Sequence, residues 1–520
     1  MSINPILNSV NTPANRNPKK DSRTGAAQPK QPVKASIFYL NDIHGKSINM
    51  ERLASVSNTF DSFQKSQPDV DRLKLSSGDI QLGHDEKINE VAVKFQNAIG
   101  IQATAMGNHE FDLAWKKSGK LLNLLEQIQY KLLANNVYIN NSEKVQNKLQ
   151  NYTIEEINGH KYGIIGTSPV DLISRLRQGT LTENLRVHSL DETIKQVQRD
   201  ADELKKQGVD KIILLSHVGY EGDILLARAT DGIDIILGGH SHDLLRDIKE
   251  GKNLFYSKSN EPVIITQGGR DGTHFGILNV EFDEKGIIKK AQNNISYTDY
   301  FRRNAPMRYI FETILGKPEK IGYIESAEKP PKKVLTEPTG HANFILDCMK
   351  EDCDAEIAIM PSPEIRGFFD EGTLDTRTLN EILPFKNKAV VVNYTEKEIV
   401  DAIKFASTSL QNKDNKPGIM EVSGLEYRIN KDGDLLSMAY IDKNGTKTPI
   451  DINNPRQDKL YKTVINDFHA QGNDNYTMLN KFNEAEKICD YDITGCVINC
   501  VKKHNTPIKI ADDGRIQIAD

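Results

Sequence analysis

Residues 36–45 read SIFYLNDIHG. Ile37, Phe38, Tyr39 and Leu40 make an apolar run of strand length that stops at Asn41 and Gly45. Straight after it, Asp42 and His44 stand one residue apart. In an extended segment residues i and i+2 point the same way, so a carboxylate and an imidazole placed like this can reach one metal ion. A lone D-x-H is usually ordinary loop chemistry. Here the pattern of an apolar strand followed by ligand-type residues recurs four more times.

The second instance follows Lys74-Leu75-Ser76-Ser77 and is Gly78-Asp79, where glycine permits close backbone approach and a two-oxygen carboxylate can bridge two ions. The third follows 103–106 and crowds Gly107-Asn108-His109-Glu110-Phe111-Asp112 together. The fourth is His217, at the end of ILLSH; a single histidine there is more often structural. The fifth is the sharpest. After IDIIL comes Gly238-Gly239-His240-Ser241-His242, two histidines on a glycine-opened turn.

Together these strand ends offer Asp42, His44, Asp79, Asn108, His217, His240 and His242, seven nitrogen or oxygen donors and no thiolate. Such a set suits two divalent ions of the Zn, Mn, Fe or Co kind, without choosing among them. Two ions about 3.5–4 Å apart suit attack on a phosphoester by a metal-held hydroxide.

Composition narrows the alternatives. The chain has 520 residues, 38% hydrophobic and 27% charged, which is enough for two or three ordinary globular domains. The formal charge of −5 disfavours a phosphate-tracking nucleic-acid binder, and a basic stretch interleaved with aromatics is missing. No apolar run reaches the roughly 18–20 residues a bilayer span needs. The first 34 residues, rich in Asn, Pro, Lys and Ser and without an apolar signal core, read as a disordered lead-in. Five cysteines, Cys348, Cys353, Cys489, Cys496 and Cys500, all fall in the last third; an odd count fits reduced, buried thiols better than a disulfide framework. The expected location is therefore the cytoplasm, with export by an unconventional route as the alternative.

From 36 to about 285, within a first domain placed at 35–299, strands and helices alternate, with strands expected near 73–75, 103–106, 162–165, 212–215, 233–237 and 263–266. Leu190, Ile194, Val197, Ala201 and Leu204 recur at helical spacing, a core-facing stripe. This predicts an α/β layered domain with its site at the strands' C-terminal ends. A helical connector is expected over 300–331, closed by the charged, proline-rich EKPPKK at 328–333. An α+β domain should fill 332–520, with helices near 340–351, 396–410 and 493–503 and strands near 356–360 and 388–394.

The set N-D-x-H, G-D, G-N-H-E, S-H and G-H-x-H resembles the calcineurin-like metallophosphoesterases. The form G-N-H-E-F-D is similar to their 5′-nucleotidase, UDP-sugar hydrolase and 2′,3′-cyclic phosphodiesterase branch, over roughly 36–285. The resemblance implies a β-sandwich flanked by helices. It also implies that Asp42, His44, Asp79 and His242 hold one ion, and that Asp79, Asn108, His217 and His240 hold the other. His109 would stabilise charge on the phosphoryl or leaving oxygen, oriented by Asp112, while Glu110 should point elsewhere.

The segments 372–403, VSGLEYRI (422–429) and FHAQGNDNY (468–476) resemble that branch's C-terminal domain. The match implies Phe468 as one wall of a base-gripping sandwich, Asp474 as a ribose contact and Arg366 as a substrate or phosphate contact. There are departures. Pro361-Ser362-Pro363-Glu364-Ile365-Arg366 replaces an N-x-G-G-x-R loop, which stiffens it and removes N–H donors. Ile419 falls where the second aromatic wall is expected, and stacking on one face would forfeit on the order of 1–3 kcal/mol. Gly472-Asn473-Asp474-Asn475-Tyr476 replaces G-G-D-x-Y.

The expectation is a two-metal hydrolase of small phosphoesters, nucleoside 5′-monophosphates first, with no nucleic acid, membrane or obligatory protein partner. The alternatives are a non-nucleotide or cyclic phosphoester as substrate, or a scaffold that has lost catalysis. The scaffold would show eroded ligands, and none of the seven is eroded.

Overall fold

The computed structural model describes residues 32–519 except 65, 84, 114–118, 141, 177–183, 330, 332, 334 and 413–416. The lead-in expected over 1–34 lies outside the described residues up to 31, and the strand Val33–Leu40 already contains its last two positions.

That strand alternates its side chains between two cores. Ile37 and Tyr39 face the layer between two sheets, while Phe38 and Leu40 face the layer beneath the helices. Val33–Leu40 pairs in parallel with Val70–Ser76, which pairs with Ala103–Ala105, which pairs with Lys131–Leu133. On its other side Val33–Leu40 runs antiparallel to His274–Phe282, and the sheet has seven strands.

A second, six-stranded sheet has Ile212–Ser216 in parallel between His160–Thr167 and Ile235–Leu237, with Pro262–Thr266 beyond. Leu73, Leu75, Ala103 and Ala105 of the first sheet pack on Ile164, Ile213, Leu215, Ile235 and Ile264 of the second. The helices Ser47–Gln64 and Glu86–Ile99 cover one outer face, and Leu190–Lys206 and Tyr220–Ala229 cover the other. The result is helix, sheet, sheet, helix. Leu190–Lys206 begins with a reciprocal capping box between Ser189 and Glu192 and buries Val197, Ala201 and Leu204 of the stripe.

Between the two halves, the helix Ala305–Leu315 sends Met307 and Phe311 into the first domain's core. The strand Lys320–Ala327, within the stretch read as a connector, instead pairs with Gly372–Asp375 and Ile508–Ile510. The second domain is built on a five-stranded sheet in the order Met420–Ser423, Ile357–Pro361, Leu460–Asn466, Lys388–Thr395, Lys487–Asp492. Gly340–Asp352 and Ile493–His504 pack with one core of this domain and Glu396–Ser407 with another.

The domains meet beside the first motif. Lys46 donates from Nζ to the carbonyls of Arg366, at 2.6 Å, and Glu381, and Ser47 Oγ donates to Glu381 Oε1 at 2.7 Å. Deeper in, the fully buried Glu51 accepts from Arg303 of the first domain at 2.5 Å and Arg377 of the second at 3.1 Å.

Candidate functional site

The five motif loops leave C-terminal strand ends on one rim, three from the first sheet and two from the second. The loop after Leu40 lies against the loop after Ser76 through backbone bonds from Asp42 N to Gly78 O, His44 N to Asp79 O and Gly45 N to Ile80 O, each 2.9 Å. Their side chains thereby converge. Asp42, His44 and His242 form one group of donors and Asp79, His217 and His240 another, each with its ligand atoms within 4.8 Å of one another. His242 Nε2 is 3.4 Å from Asp42 Oδ1, and His217 Nε2 is 3.0 Å from Asp79 Oδ2. His240 Nδ1 and Asn108 Oδ1 are 3.1 Å apart, so the amide joins the second group.

The local conformation differs from the sequence argument in one respect. Asp42 and His44 are not extended: their φ angles are 49° and 52°. Asp79, His240 and His242 are left-handed as well, at 53°, 71° and 61°. Side-chain-bearing residues lose about 1–3 kcal/mol each in that region, so five at one rim mark a site held by its surroundings. The glycines are spacers. A Cβ on Gly107 would sit 2.1 Å from Asp79 Oδ1, and one on Gly239 would sit 2.7 Å from His217 Nδ1.

These residues fit divalent cations. Every donor is nitrogen or oxygen, and the buried Nε2 atoms of His44 and His217 make no hydrogen bond of good geometry although Asp79 Oδ2 stands 3.7 Å from the first and 3.0 Å from the second. Their opposite ring nitrogens are engaged, His44 Nδ1 with Asp271 Oδ1 at 3.0 Å and His217 Nδ1 with the Ser77 carbonyl at 2.5 Å, which aims the Nε2 atoms inward. Burial works to raise Asp79, but His217 and His109 hold its carboxyl well below the usual carboxylate range. Against its own burial, His217 is pushed up to about 10 by Asp79 and Asp42. This mutual leaning is what a cation would replace.

A dyad stands next to the cluster. His109 Nδ1 lies 2.7 Å from Asp112 Oδ2, and the His109 backbone N–H donates to Asp79 Oδ1 at 2.9 Å. Glu110 turns away, as its neighbours require. Its carboxylate accepts the backbone N–H groups of Asp79, Ile80, Gln81 and Gly107 at 2.8–3.3 Å and so fixes two motif loops together.

From the second domain, Arg366 reaches this rim. Its guanidinium lies 5.5 Å from the Phe385 ring centroid and feels both Asp271 and Asp79. Phe468 is half-buried and meets the His469 ring edge-on at 5.2 Å. Asp474 is left-handed at φ 52°, with its carboxylate 3.9 Å from His469 Nε2. Asp474 also raises Glu364, which burial and that carboxylate push up to about 8 while Asn387 Nδ2 donates to it at 3.0 Å.

Ile419 does not line a pocket. It is fully buried in the second domain's core, its N–H bonded to Leu335 O and its carbonyl to Ser362 N, because it leads into the strand Met420–Ser423. Sequence reasoning also missed residues behind the donors. Asn41 donates from Nδ2 to Asp42 Oδ2 and to the Gly269 carbonyl, both at 2.7 Å, and Asp271 orients His44. The signal was present: Gly268-Gly269-Arg270-Asp271-Gly272 follows the strand Pro262–Thr266, a sixth case of the same rule.

Residues 35–244 match the family described as calcineurin-like phosphoesterase, and residues 320–481 match the 5′-nucleotidase C-terminal domain. The chain is 27% identical to the trifunctional nucleotide phosphoesterase protein YfkN of Bacillus subtilis over 93% of its own length, but spans 35% of that protein. It is 26% identical to the 5′-nucleotidase of Bos taurus, covering 94% of this chain and 92% of the relative. Its fold is similar to that of a 5′-nucleotidase precursor from Thermus thermophilus, with a TM-score of 0.77 at 21% identity over 94% of this chain and all of that one. The chain is a two-domain α/β protein that pairs a calcineurin-like phosphoesterase domain with a 5′-nucleotidase C-terminal domain, and it is similar over most of its length to 5′-nucleotidases.

Proposed function

We propose that this protein hydrolyses small phosphoesters at the rim of its first domain, with nucleoside 5′-monophosphates as the main substrate class. In this reading Asp42, His44, Asp79 and His242 hold one divalent ion, and Asp79, Asn108, His217 and His240 hold a second. Bound there, such ions would supply Lewis acidity toward the phosphoryl oxygens and a water of lowered pKa. The chain's own groups do the rest. His109, its Nδ1 fixed by Asp112, presents Nε2 as hydrogen-bond donor to the developing charge or the leaving oxygen. Arg366 pairs with the phosphate across the domain boundary, where the Phe385 ring and the Lys46 bond to its carbonyl keep it in place. Phe468 stacks on the base and Asp474 accepts from the ribose.

The observation that carries this reading is the meeting of the donor groups, the His109–Asp112 dyad and Arg366 at one place, from two domains. The five free cysteines support a reducing, cytoplasmic setting for it. A non-nucleotide phosphoester is the second reading. It is favoured by Glu364, an acidic group set two residues from Arg366 and facing Asp474.

A phosphate-release panel separates the two. It contains AMP, UMP, UDP-glucose, a 2′,3′-cyclic nucleotide, sugar phosphates and bis-p-nitrophenyl phosphate. Turnover of nucleotides supports the first reading, and turnover restricted to sugar phosphates or the artificial diester supports the second.

A further inference from the structure

A second collection of ligand-type side chains lies away from the rim, inside the second domain. Cys353 caps the C-terminus of the helix Gly340–Asp352, Cys489 lies in the strand Lys487–Asp492, and Cys496 lies at the start of the helix Ile493–His504. Three separate elements thus bring sulfur to the surroundings of Cys353. All three residues are at most 2% exposed. Cys353 Sγ is 3.6 Å from Cys489 Sγ and 4.0 Å from Cys496 Sγ. The Asp352 carboxylate joins them, with its oxygen within 4.8 Å of the sulfurs of Cys353 and Cys496. Its other contact is fixed, since Tyr491 donates its hydroxyl to Asp352 Oδ2 at 2.5 Å.

We propose that Cys353, Cys489, Cys496 and Asp352 form a structural binding site for a thiophilic divalent ion, zinc by its chemistry, separate from the metal centre of the first domain. Thiols are weak hydrogen-bond partners, so sulfur–sulfur contacts alone give little reason for three of them to converge. Metal coordination gives one. Sulfurs arranged tetrahedrally about zinc at about 2.3 Å stand about 3.8 Å from each other, between the two separations observed. A disulfide instead needs its sulfurs about 2.05 Å apart, would use only two of the three, and would leave Asp352 without a role.

The donor set also sorts the metals. Three thiolates and one carboxylate prefer zinc to the harder ions that an all-nitrogen-and-oxygen rim accepts. Binding would release the three thiol protons, and a full set of four protein donors would leave no open position for substrate. Tyr491 is the outer partner that orients the carboxylate. An ion here would tie together the helices Gly340–Asp352 and Ile493–His504 and the sheet edge Lys487–Asp492.

The test uses the whole chain, chelated under reducing conditions and titrated with Co2+. The rim has no sulfur donor, so a sulfur-to-cobalt charge-transfer band in the near ultraviolet comes from the second domain's cysteines, whatever the catalytic activity. Cys500 shares a separate donor group with Glu351 and His504, and Cys500→Ser controls for it. One equivalent of band intensity, displaced by Zn2+, lost in Cys496→Ser and retained in Cys500→Ser, is the expected result. Three results would overturn the proposal: no such band in the wild-type protein at saturating Co2+, a band lost in Cys500→Ser, or a Cys353–Cys489 disulfide formed on air exposure despite excess Zn2+. The wild-type titration decides even where a cysteine variant does not fold.

Discussion

His109 Nδ1 lies 2.7 Å from Asp112 Oδ2, and the same oxygen accepts the backbone N–H of Gly83 at 2.5 Å. Asp112 therefore fixes both the tautomer of the imidazole and the loop beside it. His109→Ala should lower kcat by about 10²–10⁴-fold with metal content unchanged. Asp112→Asn should lower kcat less, because the ring remains while its orientation is lost. A fall in bound metal that accounts for the whole loss would put His109 among the ligands instead.

Asp271 stands behind His44 rather than at the rim. Replacing it by Asn removes a charged partner from Nδ1 without touching any donor. Metal affinity should drop about 10–100-fold, read by competition with a chromogenic chelator, and excess metal should restore turnover.

Glu51 is buried between Arg303 and Arg377, one from each domain. Glu51→Ala leaves Arg377, itself 6% exposed, with its charge unpaired. Denaturant unfolding should show a loss of about 3–5 kcal/mol.

Asp223 is fully buried behind the second sheet's loops, next to Ser216. Burial pushes its carboxyl from 3.8 up to about 8, so the folded chain holds that proton more tightly than the unfolded chain does. Its contribution to stability is complete below pH about 4 and is lost as pH rises to about 8. Wild-type protein should therefore lose stability relative to Asp223→Asn across that window, measured by thermal unfolding at matched ionic strength. A pH-independent difference would mean the carboxyl is ionised in the fold.

Much of this site is legible in the chain because its chemistry sits immediately after apolar strands. Asp42, His44, Asp79, Asn108, His217, His240 and His242 each follow a run that reads as a buried strand, and parallel pairing brings those ends to one rim. What the sequence did not show is how the loops curl. Asp42 and His44 share a direction through left-handed turns, a conformation written in the contacts around them and not in their own propensities. Asp271 escapes notice because an aspartate among glycines reads as a turn until His44 is known to lie against it. Ile419 misleads for the opposite reason. An alignment of motifs locates a position along the chain, but which way its side chain faces is set by the strand it enters.

The most direct measurement is AMP hydrolysis by chelated protein before and after Mn2+ or Co2+ is returned, with Asp79→Asn alongside. Asp79 shares one donor cluster with His44 and His109 and another with His217 and His240, and His44 also belongs with Asp42 and His242, so Asp79 stands between the two groups. The account predicts no turnover in the chelated protein, recovery on adding metal, and no recovery in Asp79→Asn at any metal concentration. Full activity after chelation, or wild-type rates in Asp79→Asn, would contradict it.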